Sequence, residues 1–162
     1  TYRCTITNTC KTEKSNPAII TINPTMSFVT QPVTVTRCEG QTTSFSVIAS
    51  GVNIKYQWYL NGVVLTNTAK ITGATSSNLT ISGVVSVDQG SYSCLISDNC
   101  TSINSTTAVL TVKEVVVVNN QPSNITVCEG ANSFFEVKAT GYNLASKWQK
   151  DGVVFNDAGN FT

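Results

Sequence analysis

The chain repeats itself with a period of 90 residues, and no insertion or deletion is needed to keep the copies in step. The matching pairs include Tyr2 and Tyr92, Cys4 and Cys94, Cys10 and Cys100, Cys38 and Cys128, Phe45 and Phe135, and Trp58 and Trp148. The period predicts three copies of one unit. Residues 1–23 are the end of a first unit, residues 24–113 are a whole second unit, and residues 114–162 are the beginning of a third.

Each unit is predicted to consist of β-strands. Apolar and polar residues alternate in four segments, and no stretch has sustained helical periodicity. These segments are Thr42–Ala49, Ile54–Leu60, Asn78–Ile81 and Ala108–Val112. The pairs Asn61-Gly62 and Asp151-Gly152 indicate two-residue hairpin turns, because a type I′ turn needs positive φ at both positions. Many short strands within about 90 residues predict a β-sandwich.

Composition excludes several classes of function. The chain has no histidine, which removes Ser-His-Asp and Cys-His nucleophile pairs and His-ligated zinc. A net charge of +1 argues against a nucleic-acid partner held by phosphate neutralisation. No apolar run approaches the ~18 residues of a membrane span. We therefore expect no enzyme activity and no cofactor.

Residues 88–94 read Asp-Gln-Gly-Ser-Tyr-Ser-Cys, and Trp58 lies eleven residues after Val47. This combination resembles strands F and C of immunoglobulin-like domains. The resemblance implies that Trp58 belongs to the core and that Tyr92 is the corner tyrosine, with a buried ring and a hydroxyl bonded to nearby backbone. Asp88 would cap the preceding turn, and Trp148 would repeat the strand C signature in the third unit.

The resemblance also predicts which immunoglobulin strands each unit contains. The fold class that it implies is an all-β, immunoglobulin-like sandwich in tandem repeats. Residues 1–23 would supply strands F and G of the first repeat, and residues 114–162 strands A to C′ with part of D of the third. Such fragments expose one-sided apolar surfaces when alone. We favour a portion of a longer array over the alternative, in which the front of one molecule completes the back of its neighbour as a fibre.

The cysteines depart from the usual immunoglobulin pattern. Val47 and Val137 stand where strand B usually carries a cysteine, so Cys94 lacks its usual partner. Each repeat instead has a cysteine in a Cys-Glu-Gly turn before strand B and another in the turn after strand F. This three-cysteine pattern resembles tandem repeats in giant secreted and cell-surface proteins of the Bacteroidota. The resemblance implies export and a role in adhesion or display.

Six cysteines are disulfide candidates, and the sequence leaves their pairing open: Cys4, Cys10, Cys38, Cys94, Cys100 and Cys128. The A′–B and F–G turns lie at opposite ends of such a sandwich, roughly 20 Å apart, so Cys38 and Cys100 should not pair within one repeat. One alternative is a staple between the A′–B turn of one repeat and the F–G turn of the next, with Cys94 a buried thiol. A Cys94–Cys100 link across the F–G hairpin and fully reduced cysteines are the others.

Other candidate sites are weak. Glu39 and Glu129 belong to turns and Asp88 to a corner, which favours structural roles over glycosidic chemistry. Asp88, Asp98 and Asn99 supply only part of a calcium site, so we expect no metal. Tyr59 should face away from Trp58 and be exposed, where it could contact a sugar or a partner.

We therefore expect a non-enzymatic, extracellular array that acts as a stiff spacer, adhesive region or surface fibre of a large bacterial cell-surface or secreted protein. Only Lys113 and Glu114 separate Val112 from the Val115–Val118 run that opens the next repeat, which is too short for a flexible tether. The alternative is a ligand-binding module, either a cell-adhesion ectodomain or a carbohydrate-binding accessory region of a secreted enzyme. Expected partners are neighbouring repeats or like subunits, and also a surface protein or glycan.

Overall fold

A computed structural model describes residues 1–154 of the chain. The first predicted unit contributes one hairpin, made of β1 (Thr5–Thr7) and β2 (Thr12–Lys14). The second unit contains β3 (Ser27–Thr30), β4 (Val35–Cys38), β5 (Thr43–Ser46), β6 (Ile48–Ser50), β7 (Lys55–Leu60), β8 (Val63–Val64), β9 (Ile71–Thr72), β10 (Asn78–Ile81), a 3-10 turn at Ser86–Asp88, β11 (Gly90–Ser97), β12 (Ser102–Asn104) and β13 (Ala108–Lys113). The third contributes β14 (Val117–Asn120), β15 (Lys138–Thr140), β16 (Gln149–Lys150) and β17 (Val153–Val154).

The second unit is a sandwich of two sheets. One sheet has the strand order β5-β10-β9, and the other has the order β4-β13-β11-β7-β8 with β12 paired to β11. All pairs are antiparallel except β4 with β13, which run parallel. In immunoglobulin terms these sheets are B-E-D and A′-G-F-C-C′.

Strand B is divided at Val47, which the alternation of the sequence does not show. β5 pairs with β10 in the first sheet, whereas β6 pairs with β3. Val47 lies between them, is buried, and donates its N–H to the carbonyl oxygen of Ser77 at 2.9 Å. The chain therefore changes strand partner at Val47 while keeping that side chain in the core.

The core of the second unit is built around three aromatic side chains. Phe45 stacks on Tyr92 with ring centroids 4.6 Å apart, and its centroid lies 6.2 Å from that of Trp58. The indole Nε1–H of Trp58 donates to the carbonyl oxygen of Ser76 at 2.8 Å. Each ring is at most 1% exposed, and the indole has its polar atom satisfied, as a buried tryptophan requires.

The 90-residue period is visible in the strand registers. Thr5 faces Lys14 across β1 and β2, and Leu95 faces Asn104 across β11 and β12. The β3–β6 and β14–β15 pairs share one register, including an irregularity at the same place. The turns agree as well, because Asn61-Gly62 has φ values of 50° and 80° and Asp151-Gly152 has 52° and 82°. Positive φ at both positions confirms the predicted turns.

The third unit is less enclosed than the second. Phe135 and Trp148 lie 6.2 Å apart with an interplanar angle of 39°, nearly the arrangement of Phe45 and Trp58 at 6.2 Å and 38°. Trp148 is nevertheless 38% exposed and immediately precedes β16, so its place in the core of a complete third unit stays a prediction. The physical reason for this exposure is that the described part of the third unit, residues 114–154, contains no counterpart of Tyr92 or β11 that could cover Trp148. The part of strand D predicted for residues 155–162 lies outside the described residues.

Candidate functional site

The corner predicted at Tyr92 connects the beginning of β11 to the 3-10 turn at Ser86–Asp88. The hydroxyl of Tyr92 donates to the carbonyl oxygen of Asp88 at 2.7 Å. The Asp88 carboxylate accepts the N–H of Val85 at 2.7 Å, which caps the 3-10 turn, and it also forms an ion pair with Lys70. Burial raises the pKa of Tyr92 to about 12, and the nearby negative charge of Asp88 adds to the shift. These contacts give Asp88 a structural role.

Cys94 is fully buried in the centre of the sandwich. It faces Trp58 across β11 and β7, and its N–H donates to the hydroxyl of Ser105 at 2.9 Å. Burial raises the pKa of its thiol to about 11. The thiolate is the reactive form, so Cys94 is inert at neutral pH.

The F–G turn holds Cys100 at one end of the sandwich. The Asp98 carboxylate accepts the N–H groups of Cys100 and Thr101 at 2.8 and 2.7 Å. These two bonds lower the pKa of Asp98. In the first unit, Asn8 accepts the N–H of Cys10 at 2.9 Å and of the following residue at 2.7 Å. Both turns therefore present an exposed cysteine in the same way.

The A′–B turn holds Cys38 at the other end. Cys38 is the register partner of Lys113, the last residue of β13, and the N–H of Glu39 donates to the Lys113 carbonyl oxygen at 2.8 Å. The side chain of Gln41 accepts the N–H of Cys38 at 2.9 Å. The exposed Cys38 thus lies where the second unit meets the third.

None of the six cysteines is in a disulfide; all are free thiols. Cys94 is buried in the core whereas Cys100 is exposed in the F–G turn, and a link between them stays a prediction. The staple between repeats would join Cys38 to the counterpart of Cys100 in the third unit. That counterpart falls 90 residues after Cys100, beyond residue 162, so the staple stays a prediction.

The remaining candidates do not converge on a site. Residues 1–154 contain no group of three or more His, Cys, Asp or Glu side chains able to hold a metal ion. Glu39 is half-buried and Glu129 is exposed, each in its A′–B turn. Asn99 is exposed beside Asp98. Tyr59 is half-buried rather than exposed, because its strand lies between β11 and β8. No helix within residues 1–154 is long and apolar enough to cross a membrane.

Sequence reasoning missed one contact between units. The ammonium of Lys113 lies 4.2 Å from the ring centroid of Tyr142 in the third unit. The repeat alignment contains a signal for this contact, because both residues differ from their counterparts at the previous junction. Asn23 is the counterpart of Lys113, and Val52 is the counterpart of Tyr142. A lysine and a tyrosine replace them together at the second junction.

Comparison with known sequences shows what the chain is similar to. Residues 24–98 match the sequence model of the immunoglobulin domain family. The chain is 29% identical over 162 residues to the rat netrin receptor DCC, covering 94% of this chain and 11% of that protein. It is 32% identical over 164 residues to the human peroxidasin homolog, covering 99% of this chain and 11% of that protein. The chain thus spans about a tenth of the length of these relatives.

The structural comparison agrees with the sequence comparison. Extracellular domains 3-5 of Drosophila OTK superpose with a TM-score of 0.58 at 20% identity, over 91% of this chain and 50% of that one. This likeness concerns the fold alone. The chain therefore has the predicted all-β, immunoglobulin-like fold, and its residues 24–98 are similar to the immunoglobulin domain family.

Proposed function

We propose that this chain is a non-enzymatic, extracellular region of tandem immunoglobulin-like repeats that serves adhesion and holds adhesive surfaces at a fixed spacing. The observation that carries the proposal is the junction between repeats. β13 ends at Lys113 and β14 begins at Val117, so three residues connect one unit to the next. A connection of this length restricts the angle between neighbouring units, as a spacer requires.

The filled interior supports a surface role. Trp58, Tyr92 and Phe45 occupy the centre of the second unit, together with aliphatic side chains from both sheets. Ligand-binding cavities of enzymes are concave and accessible to solvent. In a sandwich with a filled core, the surfaces available to a partner are its two faces and its two ends.

The relatives support the adhesive part of the proposal and an extracellular location. One of them is by name a receptor, and it matches 94% of this chain. The finer proposal, that the array belongs to a giant surface or secreted protein of the Bacteroidota, rests on the three-cysteine pattern. The named relatives come from rat and human and support the adhesive role rather than that source.

A module that binds one specific ligand is the second candidate function, and the receptor relative favours it. Its partner would be a surface protein or a glycan that contacts a face or an end of the sandwich. A stiff spacer differs from such a module because it needs no ligand of its own.

Binding and shape measured on the same 162-residue chain test both candidates. Beads coated with the chain are tested for mutual aggregation and for attachment to a glycan array, and small-angle X-ray scattering gives the length of the free chain. Binding that disappears in the core variant Trp58→Ala supports adhesion. An extended, rod-like profile without binding supports the spacer. A compact or freely jointed profile without binding contradicts the proposal.

A further inference from the structure

Lys113 ends the second unit with its ammonium over an aromatic ring of the third. The distance from Nζ to the ring centroid of Tyr142 is 4.2 Å, within the range of a cation–π attraction. Within residues 1–154, the ion pairs are Lys11 with Glu13, Lys70 with Asp88, and Lys138 with Glu136. Lys113 therefore forms no ion pair with a carboxylate of the described residues.

The backbone on both sides of this contact is held in place. Lys113 is fixed to the second unit through its register with Cys38 and through the N–H of Glu39, which donates to its carbonyl oxygen at 2.8 Å. Tyr142 is fixed to the connecting segment by its own N–H, which lies 3.4 Å from the carbonyl oxygen of Glu114. The two side chains are thus carried by anchored main chain rather than by free loops.

The connecting segment also lies directly against the turn that carries Tyr142. A Cβ added at Gly141 would be 3.0 Å from both the carbonyl oxygen of Val115 and the Cα of Val116. The φ of Gly141 is +149°, a conformation that other residues rarely adopt. Glycine therefore permits the close approach that brings the ring under Lys113.

We propose that Lys113 and Tyr142 form an interface between repeats that sets the angle of the third unit on the second. The partner of this end surface is the turn between strands B and C of the following repeat. This inference rests on the spacer role proposed above, because a fixed angle between repeats matters only if the array holds its ends at a set distance. The contact itself can be tested without any ligand.

The first junction supplies an internal comparison. Asn23 and Val52 occupy the positions of Lys113 and Tyr142 there, and they cannot form a cation–π pair. An attraction of this kind at an exposed site favours one orientation by about two- to five-fold. The second junction should therefore be restricted more than the first.

The test is NMR spectroscopy of the 162-residue chain and of Tyr142→Val, which installs the residue that the chain itself uses at position 52. We expect the side-chain methylene protons of Lys113 to be shifted upfield by the ring current and to return to ordinary values in the variant. Amide relaxation should show residues 24–113 and 114–154 tumbling together in the original chain and more independently in Tyr142→Val. The matched control, Val52→Ala, should change neither measurement.

Ordinary Lys113 shifts in the original chain overturn the inference, as does unchanged tumbling in Tyr142→Val. These results are independent of the binding assay. A chain that adheres to a ligand but gives ordinary Lys113 shifts keeps the proposed function and loses this interface. A chain that shows the shift but neither binds nor scatters as a rod keeps the interface and loses the function.

Discussion

The hydroxyl of Tyr92 lies 2.7 Å from the carbonyl oxygen of Asp88, to which it donates a hydrogen bond. The bond connects the beginning of β11 to the 3-10 turn at Ser86–Asp88. The ring of the same tyrosine stacks on Phe45 in the opposite sheet, with centroids 4.6 Å apart. One side chain therefore ties the turn, strand F and the core together.

Replacing Tyr92 by phenylalanine should destabilise the second unit by about 1–3 kcal/mol. The ring still stacks on Phe45, but the carbonyl oxygen of Asp88 loses its partner in a half-buried place. The free energy of unfolding from urea denaturation measures this. Tyr2→Phe is the matched control, because Tyr2 is the counterpart of Tyr92 and is 64% exposed. Equal effects of the two substitutions would contradict the role of the corner bond.

Replacing Trp58 by alanine should cost roughly 3–5 kcal/mol, because a fully buried indole leaves a cavity and Ser76 loses a donor. Trp148→Ala should cost the second unit far less, since Trp148 is 38% exposed and belongs to the third. Denaturation followed by circular dichroism compares the two variants without relying on tryptophan emission. A loss for Trp58→Ala no larger than for Trp148→Ala would rule out Trp58 as the centre of the core.

The sequence was sufficient to predict the fold class and the hairpin turns, because both depend on local chemistry that the repeat displays twice. Asn61-Gly62 and Asp151-Gly152 adopt nearly the same positive φ values although the two residues before each turn differ. The division of strand B at Val47 was not predictable, since an alternating pattern looks the same whether a strand has one partner or two.

The candidate sites depended more on tertiary surroundings. Trp148 carries the same local signature as Trp58, yet it is partly exposed because covering strands, not its own sequence, decide burial. Tyr59 alternates correctly with Trp58, but neighbouring strands cover half of it. The contact of Lys113 with Tyr142 joins two units, so the sequence shows it only as a difference between the two junctions of the repeat alignment and not as a pattern within one unit.

Alkaline pH should destabilise the second unit. In the unfolded chain Cys94 and Tyr92 lose their protons near ordinary pKa values of 9.0 and 10.0, whereas the folded state holds them to about 11 and about 12. Between pH 9 and 12 the unfolded state therefore binds fewer protons, and stability falls as pH rises. Below about pH 8 both groups keep their protons in both states and contribute no pH dependence.

Urea midpoints measured from pH 8 to pH 11 check this expectation. Cys94→Ala should lower the midpoint at every pH, through lost packing, and should also flatten the decrease that begins near pH 9. A variant with the same alkaline decrease as the original chain would show that the Cys94 thiol does not contribute to it.

The last prediction concerns the cysteines at the two ends of each repeat. Cys38 lies beside Lys113 where one unit meets the next, and Cys100 lies in the F–G turn at the other end. In the 162-residue chain neither has the partner that a staple between repeats requires. Native titration of this chain with a maleimide should therefore modify the five exposed thiols, and unfolding should reveal Cys94 as the sixth.

A chain lengthened by one period, with residues 24–113 in tandem, contains the missing pair: Cys38 of the first copy and Cys100 of the second. A small-molecule disulfide serves as the oxidant. It is reduced to two thiols while the two cysteines lose their protons and electrons and form the disulfide bond. Oxidation should then remove two titratable thiols. The staple should also raise the midpoint of thermal unfolding, and reduction should reverse that gain. Cys38→Ser in the first copy is the control, since it leaves Cys100 of the second copy titratable. If the lengthened, oxidised chain keeps all its thiols, the two turns do not meet and the staple is wrong; if the loss persists in the control, the bond joins other cysteines.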